Sequence, residues 1–353
     1  MLGGTDEGHR ATIARSQSPQ GPWTAAPNNP LLYNGADPAL TVQSTGHATM
    51  FDTPSGEWYA TYLARRNING SSPLGRETFI SAVKWQDDWP TVNDGKHVLL
   101  SEPVEGLPPR IDGRRQQWYS FDGDLSAEGW YTLRTPYAPI YSQSSRTGCA
   151  AQSAVERRLP DTVSNTSEPG LVFCPNVYTL SDRDVPAAIL RKQTSLNMTF
   201  TARTIAIPHE LPDRAAVGIS AYLSEIVHHD VGIANCQNST GLCIYTLLSR
   251  NGTEQRKETS FQPGDNRQID LVIRAEPMRY TLGFRDANGL QWVTGFSSYW
   301  MAWAPDGIFV FEGAMFALFA TGQGLPWTIL GPAVGFASVV EDFFQELIPD
   351  YGK

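Results

Sequence analysis

Short runs in which apolar and polar residues alternate recur along the first hundred residues. They stand at residues 11–15, 48–51, 58–63 and 78–85, and turn signals at residues 54–56, 73–75 and 93–95 separate them. Successive side chains of a β-strand point to opposite faces, so this alternation predicts antiparallel strands with one buried face. No run has the period of a helix of three turns.

Longer apolar patterns follow in the second half, at residues 195–202, 216–223 and 268–274. Strands of this length with two partly apolar faces suit two sheets packed face to face, which predicts a β-sandwich. Between residues 103 and 115 the chain is rich in proline, glycine and charge, and we place a domain boundary there. The fold class predicted from the pattern is therefore all-β.

Composition narrows the function. The 353 residues are 41% hydrophobic and 18% charged, which is enough for two domains with cores of their own. A formal net charge of -9, without a run of Lys or Arg, argues against a nucleic-acid partner. The 31 glycines and 25 prolines suit short strands joined by tight turns, and the 10 Trp, 13 Tyr and 15 Phe also offer faces for sugar rings.

Four cysteines occur in the chain, none before residue 149: Cys149, Cys174, Cys236 and Cys243. Cys236 and Cys243 could close a small loop and Cys149 with Cys174 a larger one, although the sequence allows three pairings and also free buried thiols.

Five glycosylation sequons favour disulfides and a secreted origin, at Asn69, Asn165, Asn197, Asn238 and Asn251. Met1 is followed by neither a basic segment nor an apolar core, so this chain shows no signal peptide. We expect the intact protein to be extracellular.

An apolar stretch near the end of the chain raises the question of a membrane span. Residues 325–340 are uncharged but include two prolines and are too short for the ~20 residues that a span needs. The polar residues that follow argue against a lipid-anchor signal. We expect no membrane partner.

Three motifs of the first region carry a family resemblance. They are Gly3-Gly4-Thr5 with His9 and residues 12–16, then Thr45-Gly46-His47-Ala48, then residues 74–79 ahead of Trp85 and Trp89-Pro90. In this order they resemble glycoside hydrolase family 43, in particular the β-xylosidases and α-L-arabinofuranosidases. Residues 121–123 with Trp130, and residues 311–316, 320–324 and 342–344, resemble the concanavalin A-like C-terminal domain of the same enzymes.

The resemblance implies a five-bladed β-propeller of which this chain holds about the last two blades. We expect a partial propeller over residues 1–108, a linker at 109–116, the concanavalin A-like sandwich at 117–347 and a tail at 348–353.

The resemblance also implies an inverting glycosidase with an Asp base, an Asp that tunes the acid and a Glu acid. In the family these carboxylates precede the Gly-Gly-Thr segment, so they would lie upstream of Met1 and no catalytic residue is assigned here. Asp6 and Glu7 lack the Glu-Gly-Pro context of the family's acid. The chain alone is expected to be inactive, and whether it is an enzyme stays open.

Three substrate-binding residues are implied by the resemblance. His47 would point into the propeller channel and orient water or a cation, Arg76 would reach the buried sugar, and Phe311 would help to close the pocket. From residue type alone, His47 could equally be a core histidine, Arg76 a surface partner of Glu77, and Phe311 a core side chain.

No phosphate loop, nucleophile elbow or Cys-x-x-Cys motif is present, so no organic cofactor is expected, while the resemblance allows a bound calcium. His228, His229 and Asp230 invite a metal site, but neighbours on a strand face opposite ways.

The leading hypothesis is a truncated β-xylosidase or α-L-arabinofuranosidase with an oligosaccharide or plant cell-wall polysaccharide as partner. The alternative is a non-catalytic carbohydrate-binding or accessory β-sandwich. Pentose specificity and oligomeric state stay open.

Overall fold

The structure is a computed structural model that describes residues 4, 6–101, 115–143, 170–303, 310–327 and 331–344. Two compact units account for them: unit 1 takes residues from 1–113 and 302–313, and unit 2 from 114–301 and 314–346. Among the described residues, the regular elements are all strands apart from two 3₁₀ turns, Asn93–Gly95 and Ser298–Met301. The all-β prediction is confirmed.

Unit 1 is built from two antiparallel sheets. The smaller pairs β1 with β2, and the larger is a meander in the order β3-β4-β5-β6. Their bounds are β1 Ala14–Arg15, β2 Thr24–Ala25, β3 Val42–Asp52, β4 Trp58–Arg66, β5 Glu77–Gln86 and β6 Trp89–Val92. In β4, Ala60, Tyr62 and Ala64 alternate toward a small apolar core, as the sequence pattern requires.

Unit 2 is a sandwich of an eight-stranded and a seven-stranded sheet. The eight-stranded sheet runs β19-β18-β17-β12-β21-β10-β9, with β7 also on β21, and the other runs β16-β15-β14-β13-β20-β11-β8. The bounds are β7 Gln116–Tyr119, β8 Trp130–Tyr131, β9 Tyr141–Ser142, β10 Leu171–Phe173, β11 Ala187–Lys192, β12 Met198–Thr204, β13 Ala216–Ser224, β14 Val227–Asn235, β15 Leu242–Arg250, β16 Thr253–Thr259, β17 Asp270–Glu276, β18 Arg279–Asp286, β19 Gly289–Ser297, β20 Met315–Thr321 and β21 Gly335–Phe343.

One continuous apolar core lies between the two sheets. Phe200 of β12 and Phe316 of β20 stack across it, with ring centroids 4.8 Å apart. Phe121, Phe284 and Phe336 are also fully buried. Aromatic pairs of this kind add to the hydrophobic stabilisation that holds the sheets together.

The apolar stretch near the end of the chain has a structural explanation. Its second half is β21, an inner strand of the eight-stranded sheet between β12 and β10, with Phe336 and Val339 fully buried. No described helix is long and apolar enough to be a membrane span.

Candidate functional site

The main polar and aromatic cluster of unit 1 centres on Arg76, just before β5. Its guanidinium carbon lies 4.2 Å from the centroid of the Phe311 ring. The backbone N–H of Arg76 also donates a hydrogen bond to the Phe311 carbonyl at 3.3 Å. Phe311 is 40% exposed, so the cation–π pair presents a charged fork beside an open apolar ring.

Two glycines allow the chain segments of this pair to approach each other. A Cβ on Gly75, whose φ is +65°, would lie 2.5 Å from the backbone of Glu312, and a Cβ on Gly313 would lie 2.3 Å from the carbonyl of Leu74. Any larger residue would push the segments apart. The close approach of residues 74–76 to residues 311–313 therefore requires glycine at positions 75 and 313.

A second arginine shares the same electrostatic environment. Arg65 of β4 is fully buried. Its pKa is lowered to about 10, mainly by burial and also by the charge of Arg76, while the carboxylate of Glu312 acts in the opposite direction. Arg65, Arg76 and Glu312 thus form a charged group next to Phe311, which suits hydroxyl or carboxylate ligands.

Glu77 is paired with Arg66 rather than with Arg76, the partner considered from the sequence. Arg66 binds it through two parallel bonds of 2.8 Å, from Nε to Oε2 and from Nη2 to Oε1. This bidentate pair occupies both oxygens of Glu77. Arg76 is consequently not held at the surface by Glu77.

His47 lies in a distorted part of β3. The register with β4 shifts between Gln43 and Gly46 and again before Thr49, and His47 is exposed with a φ of 56°. The ring of buried His9 lies where a Cβ on Gly46 would be, within 2.6 Å, and its Nδ1 is 2.9 Å from the Ser44 carbonyl. A bulge of this kind re-aims the side chain that follows it.

The structure brings Arg76 and Phe311 together, but it does not connect them to His47. Within the described residues, His47 shares no hydrogen bond, ion pair or ring contact with either side chain. These three assignments remain predictions.

The bound calcium that the resemblance allows stays an expectation. His47 offers a nitrogen, whereas Ca²⁺ takes six to eight oxygen ligands. In the described part of the chain, no group of three or more His, Cys, Asp or Glu side chains is placed to hold a metal ion.

Asp6 and Glu7 are both exposed. Asp6 Oδ1 accepts a hydrogen bond from the N–H of Gly8 at 2.8 Å, which is a turn interaction. This geometry gives the pair no feature of an acid and base that face each other across a substrate.

The histidine pair falls on opposite faces of β14. His228 lies between Asp230 and Ser181, with Nδ1 2.9 Å from Asp230 Oδ1 and Nε2 2.8 Å from Ser181 Oγ. Burial acts to lower the pKa of His228, but Asp230 and Glu254 outweigh it and the pKa is raised. His229 instead packs 4.0 Å from the Phe296 ring in the core.

Two of the cysteine candidates form a disulfide, Cys236 with Cys243, with an S–S distance of 1.99 Å. Cys174 is also disulfide-bonded, while Cys149 lies outside the described residues.

The sequon asparagines differ in exposure. Asn69, Asn238 and Asn251 are exposed, Asn197 is half-buried, and Asn165 lies outside the described residues.

Comparison with protein families accounts for both units. Residues 119–326 match the model described as beta xylosidase C-terminal concanavalin A-like domain, which is more than half of the chain. Residues 2–90 match glycosyl hydrolases family 43. The chain belongs to glycoside hydrolase family 43. The predicted resemblance and the concanavalin A-like sandwich are confirmed.

Two curated relatives show how far the similarity of this family 43 chain extends. It is 31% identical over 221 residues to a non-reducing end alpha-L-arabinofuranosidase of Bacteroides ovatus, which covers 62% of this chain and 38% of the relative. It is 33% identical over 180 residues to a beta-xylosidase of Bacillus subtilis, which covers 44% of this chain and 34% of the relative. These alignments take in little more than a third of each relative.

Solved structures of the family share the fold. A Bacteroides ovatus protein from a xyloglucan locus, GH43B, superposes with a TM-score of 0.77 at 24% identity, over 97% of this chain and 62% of that one. A xylan beta-1,4-xylosidase from Bacillus halodurans gives 0.77 at 22% identity, over 96% and 61%.

Sequence reasoning missed Arg65, Glu312 and the buried position of His9, which it named only as part of a motif. The signal for Arg65 was present, because a double arginine closes the otherwise apolar strand pattern of β4. Glu312 and His9 carry no local signal, since their positions depend on contacts between distant segments.

Proposed function

We propose that this family 43 chain is part of an inverting glycosidase of β-xylosidase or α-L-arabinofuranosidase specificity that acts on xylan-derived oligosaccharides. The Arg76–Phe311 pair carries the proposal, because a guanidinium beside an exposed ring offers both hydroxyl donors and a stacking face. The relatives named as xylosidase and arabinofuranosidase support this substrate class.

The catalytic carboxylates belong, in this proposal, to residues outside the 353. The chain would then bind part of a sugar without cleaving it. The disulfide between Cys236 and Cys243 and the exposed sequons support an extracellular site of action.

The alternative is a non-catalytic carbohydrate-binding or accessory protein. Its support is the sandwich of unit 2, which has a continuous apolar core among the described residues.

Hydrolysis of p-nitrophenyl β-xyloside and α-arabinofuranoside tests the proposal. The 353-residue chain should show no turnover above background, and a version extended upstream through its reading frame should hydrolyse one of the two. In the extended version Arg76→Ala should lower kcat/KM by at least about 100-fold, or about 2.7 kcal/mol. Trp23→Ala, which removes a side chain 61% exposed in the same unit, is the matched control. Turnover by the 353-residue chain, or an active Arg76→Ala variant, would contradict the assignment.

A further inference from the structure

Unit 2 contains a cavity of about 240 Å³ that the glycosidase proposal does not use. It is lined by Tyr137, Ile140, Cys174, Pro175, Asn176 and Val185. Ligand pockets are commonly about 300–1,000 Å³, so this cavity suits a single ring rather than an extended chain.

The Tyr137 ring is 72% exposed at this cavity, yet it is held in place. Pro136 and Pro139 restrict the backbone on both sides. Its hydroxyl donates a hydrogen bond to Asp184 Oδ1 at 3.3 Å. The Tyr178 hydroxyl also bonds to Tyr137 and Asp184, which raises the pKa of Tyr178 to about 12.

Asp184 is itself fixed by the backbone around it. Its Oδ1 accepts a hydrogen bond from the Val185 N–H at 2.8 Å, and its carbonyl accepts one from Arg134 Nη1. Asn176 joins two segments next to the cavity. Its Nδ2 donates a hydrogen bond to the Val185 carbonyl, and its Oδ1 accepts one from the Tyr178 N–H. A ligand would therefore meet groups that are already ordered, which lowers the entropic cost of binding.

The chemistry of these groups selects one class of ligand. An exposed aromatic face packs against the apolar face of a sugar ring, and Asp184, which does not line the cavity, fixes that face through the Tyr137 hydroxyl. A ligand that carries its own negative charge would be repelled by Asp184, so acidic sugars are disfavoured.

We propose that the Tyr137 cavity of unit 2 binds one neutral sugar unit of an oligosaccharide, with the Tyr137 ring as stacking platform and Asp184 as the acceptor that fixes the Tyr137 hydroxyl. The inference rests on the carbohydrate class of the proposed function but not on hydrolysis, so a chain without glycosidase activity would still bind.

Titration of the full chain with xylotriose, followed by isothermal calorimetry and by NMR, tests the site. Tyr137→Ala should weaken binding at least about 10-fold, or about 1.4 kcal/mol. Tyr137→Phe keeps the ring and should stay within about threefold of the original affinity, whereas Asp184→Asn should fall between the two. Tyr131→Ala is the matched control, because Tyr131 is 54% exposed in the same unit and lies outside the cavity.

The outcomes separate this site from the Arg76–Phe311 pair. Arg76→Ala should leave the Tyr137-dependent binding unchanged. Absence of xylotriose binding at millimolar concentration, equal binding by Tyr137→Ala and the original chain, or an equal loss in Tyr131→Ala would each overturn the proposal. Thermal melting of every variant checks that the exposed substitutions leave the fold intact.

Discussion

His229 is a polar side chain enclosed by aromatic rings. It is fully buried between Phe296 and Trp300, and neither of its ring nitrogens has a hydrogen-bond partner in the described part of the chain. The pKa of His229 is lowered to about 3. Burial is the largest cause, and the charges of His228 and Arg250 act in the same direction. The imidazole is therefore neutral in the folded protein, and its unpaired nitrogens cost stability.

Replacing this imidazole with a similar apolar side chain should stabilise unit 2. At pH 7 we expect His229→Leu to raise the free energy of unfolding by about 1–3 kcal/mol, because it removes two buried polar atoms without partners. Urea denaturation followed by tryptophan fluorescence measures the change. Glu225→Gln, at an ion pair whose Arg183 partner is 80% exposed, serves as a control and should change stability by no more than about 1 kcal/mol.

The same variant should change the pH dependence of stability. Because the pKa of His229 is lower in the folded than in the unfolded state, only the unfolded chain takes up a proton there as the pH falls from 6.5 toward 3. The titration of His229 therefore leaves stability unchanged above pH 6.5 and lowers it progressively below that pH. The raised pKa of His228 acts in the opposite direction, so the difference between the original chain and His229→Leu isolates the effect. This difference should grow by up to about 1.4 kcal/mol per pH unit below pH 6.5. A difference that stays constant between pH 7 and pH 5 would refute the assignment.

At the scale of elements, hairpins built around tight turns organise both units. The turn between β15 and β16 has positive φ at Asn251 and Gly252, which is the geometry that Asn-Gly favours. The hairpin between β14 and β15 is instead closed covalently by Cys236 and Cys243, and the N–H of Cys236 donates to the Gly241 carbonyl at 2.9 Å.

Loss of this crosslink should destabilise unit 2 moderately. The cysteines are seven positions apart, and closing so short a loop is worth about 2 kcal/mol in the chain-entropy model. The double variant Cys236→Ser with Cys243→Ser should lose about that amount in urea denaturation. Ser239→Ala in the same loop should stay within about 0.5 kcal/mol of the original chain. An unchanged midpoint in the double variant would show that the backbone hairpin holds without the crosslink.

Strand positions follow from the sequence where alternation is local. The patterns at residues 58–63 and 78–85 correspond to β4 and β5, because each strand packs one face on a core and leaves the other open. The first strand of the sandwich lies just before the motif at residues 121–123. It is Gln116–Tyr119, and Phe121, with a φ of 60°, lies beyond its end. A backbone in the left-handed region leaves the strand, and the apolar character of Phe121 does not reveal this.

For the molecule as a whole, the two units differ in how much apolar surface they bury. Unit 2 has a continuous core between two sheets, whereas unit 1 has one small cluster against a four-stranded sheet whose edges are β3 and β6. Exposed edges favour association with other chains. The stability of the protein should therefore reside mainly in unit 2.

This contrast predicts different behaviour of the separated segments. Residues 115–344 should be soluble and unfold in one cooperative transition, while residues 1–110 alone should aggregate or lack a transition, since they also lose Phe311 and its neighbours. Calorimetry and size-exclusion chromatography of the two segments provide the test. Recovery of a soluble, cooperatively folding 1–110 segment would contradict the expectation.

Site residues can be predicted from the sequence where their contacts are local, and not where the contacts join segments that are far apart in the chain. The motif around Arg76 pointed to a binding residue, and resemblance pointed to Phe311, but no local pattern predicts that residues 302–313 fold with unit 1. The domains expected from the sequence, 1–108 and 117–347, are each one continuous stretch. The compact units are not continuous, because residues from 302–313 belong to unit 1. The burial of His229 was equally hidden, because distant segments decide whether a polar side chain is buried.

Residues from 302–313 belong to unit 1, although they follow most of unit 2 in the chain. This arrangement limits which parts of the gene can be exchanged by recombination. The two halves of the Arg76–Phe311 pair are encoded far apart, on either side of most of the sandwich sequence. A recombination event that exchanged the sandwich for that of a distant relative would bring in a foreign segment at Phe311 and at Gly313, where only glycine fits against Leu74. We therefore expect the two units to be inherited together. Chimaeras between relatives should fold only when their crossover points lie outside residues 74–313.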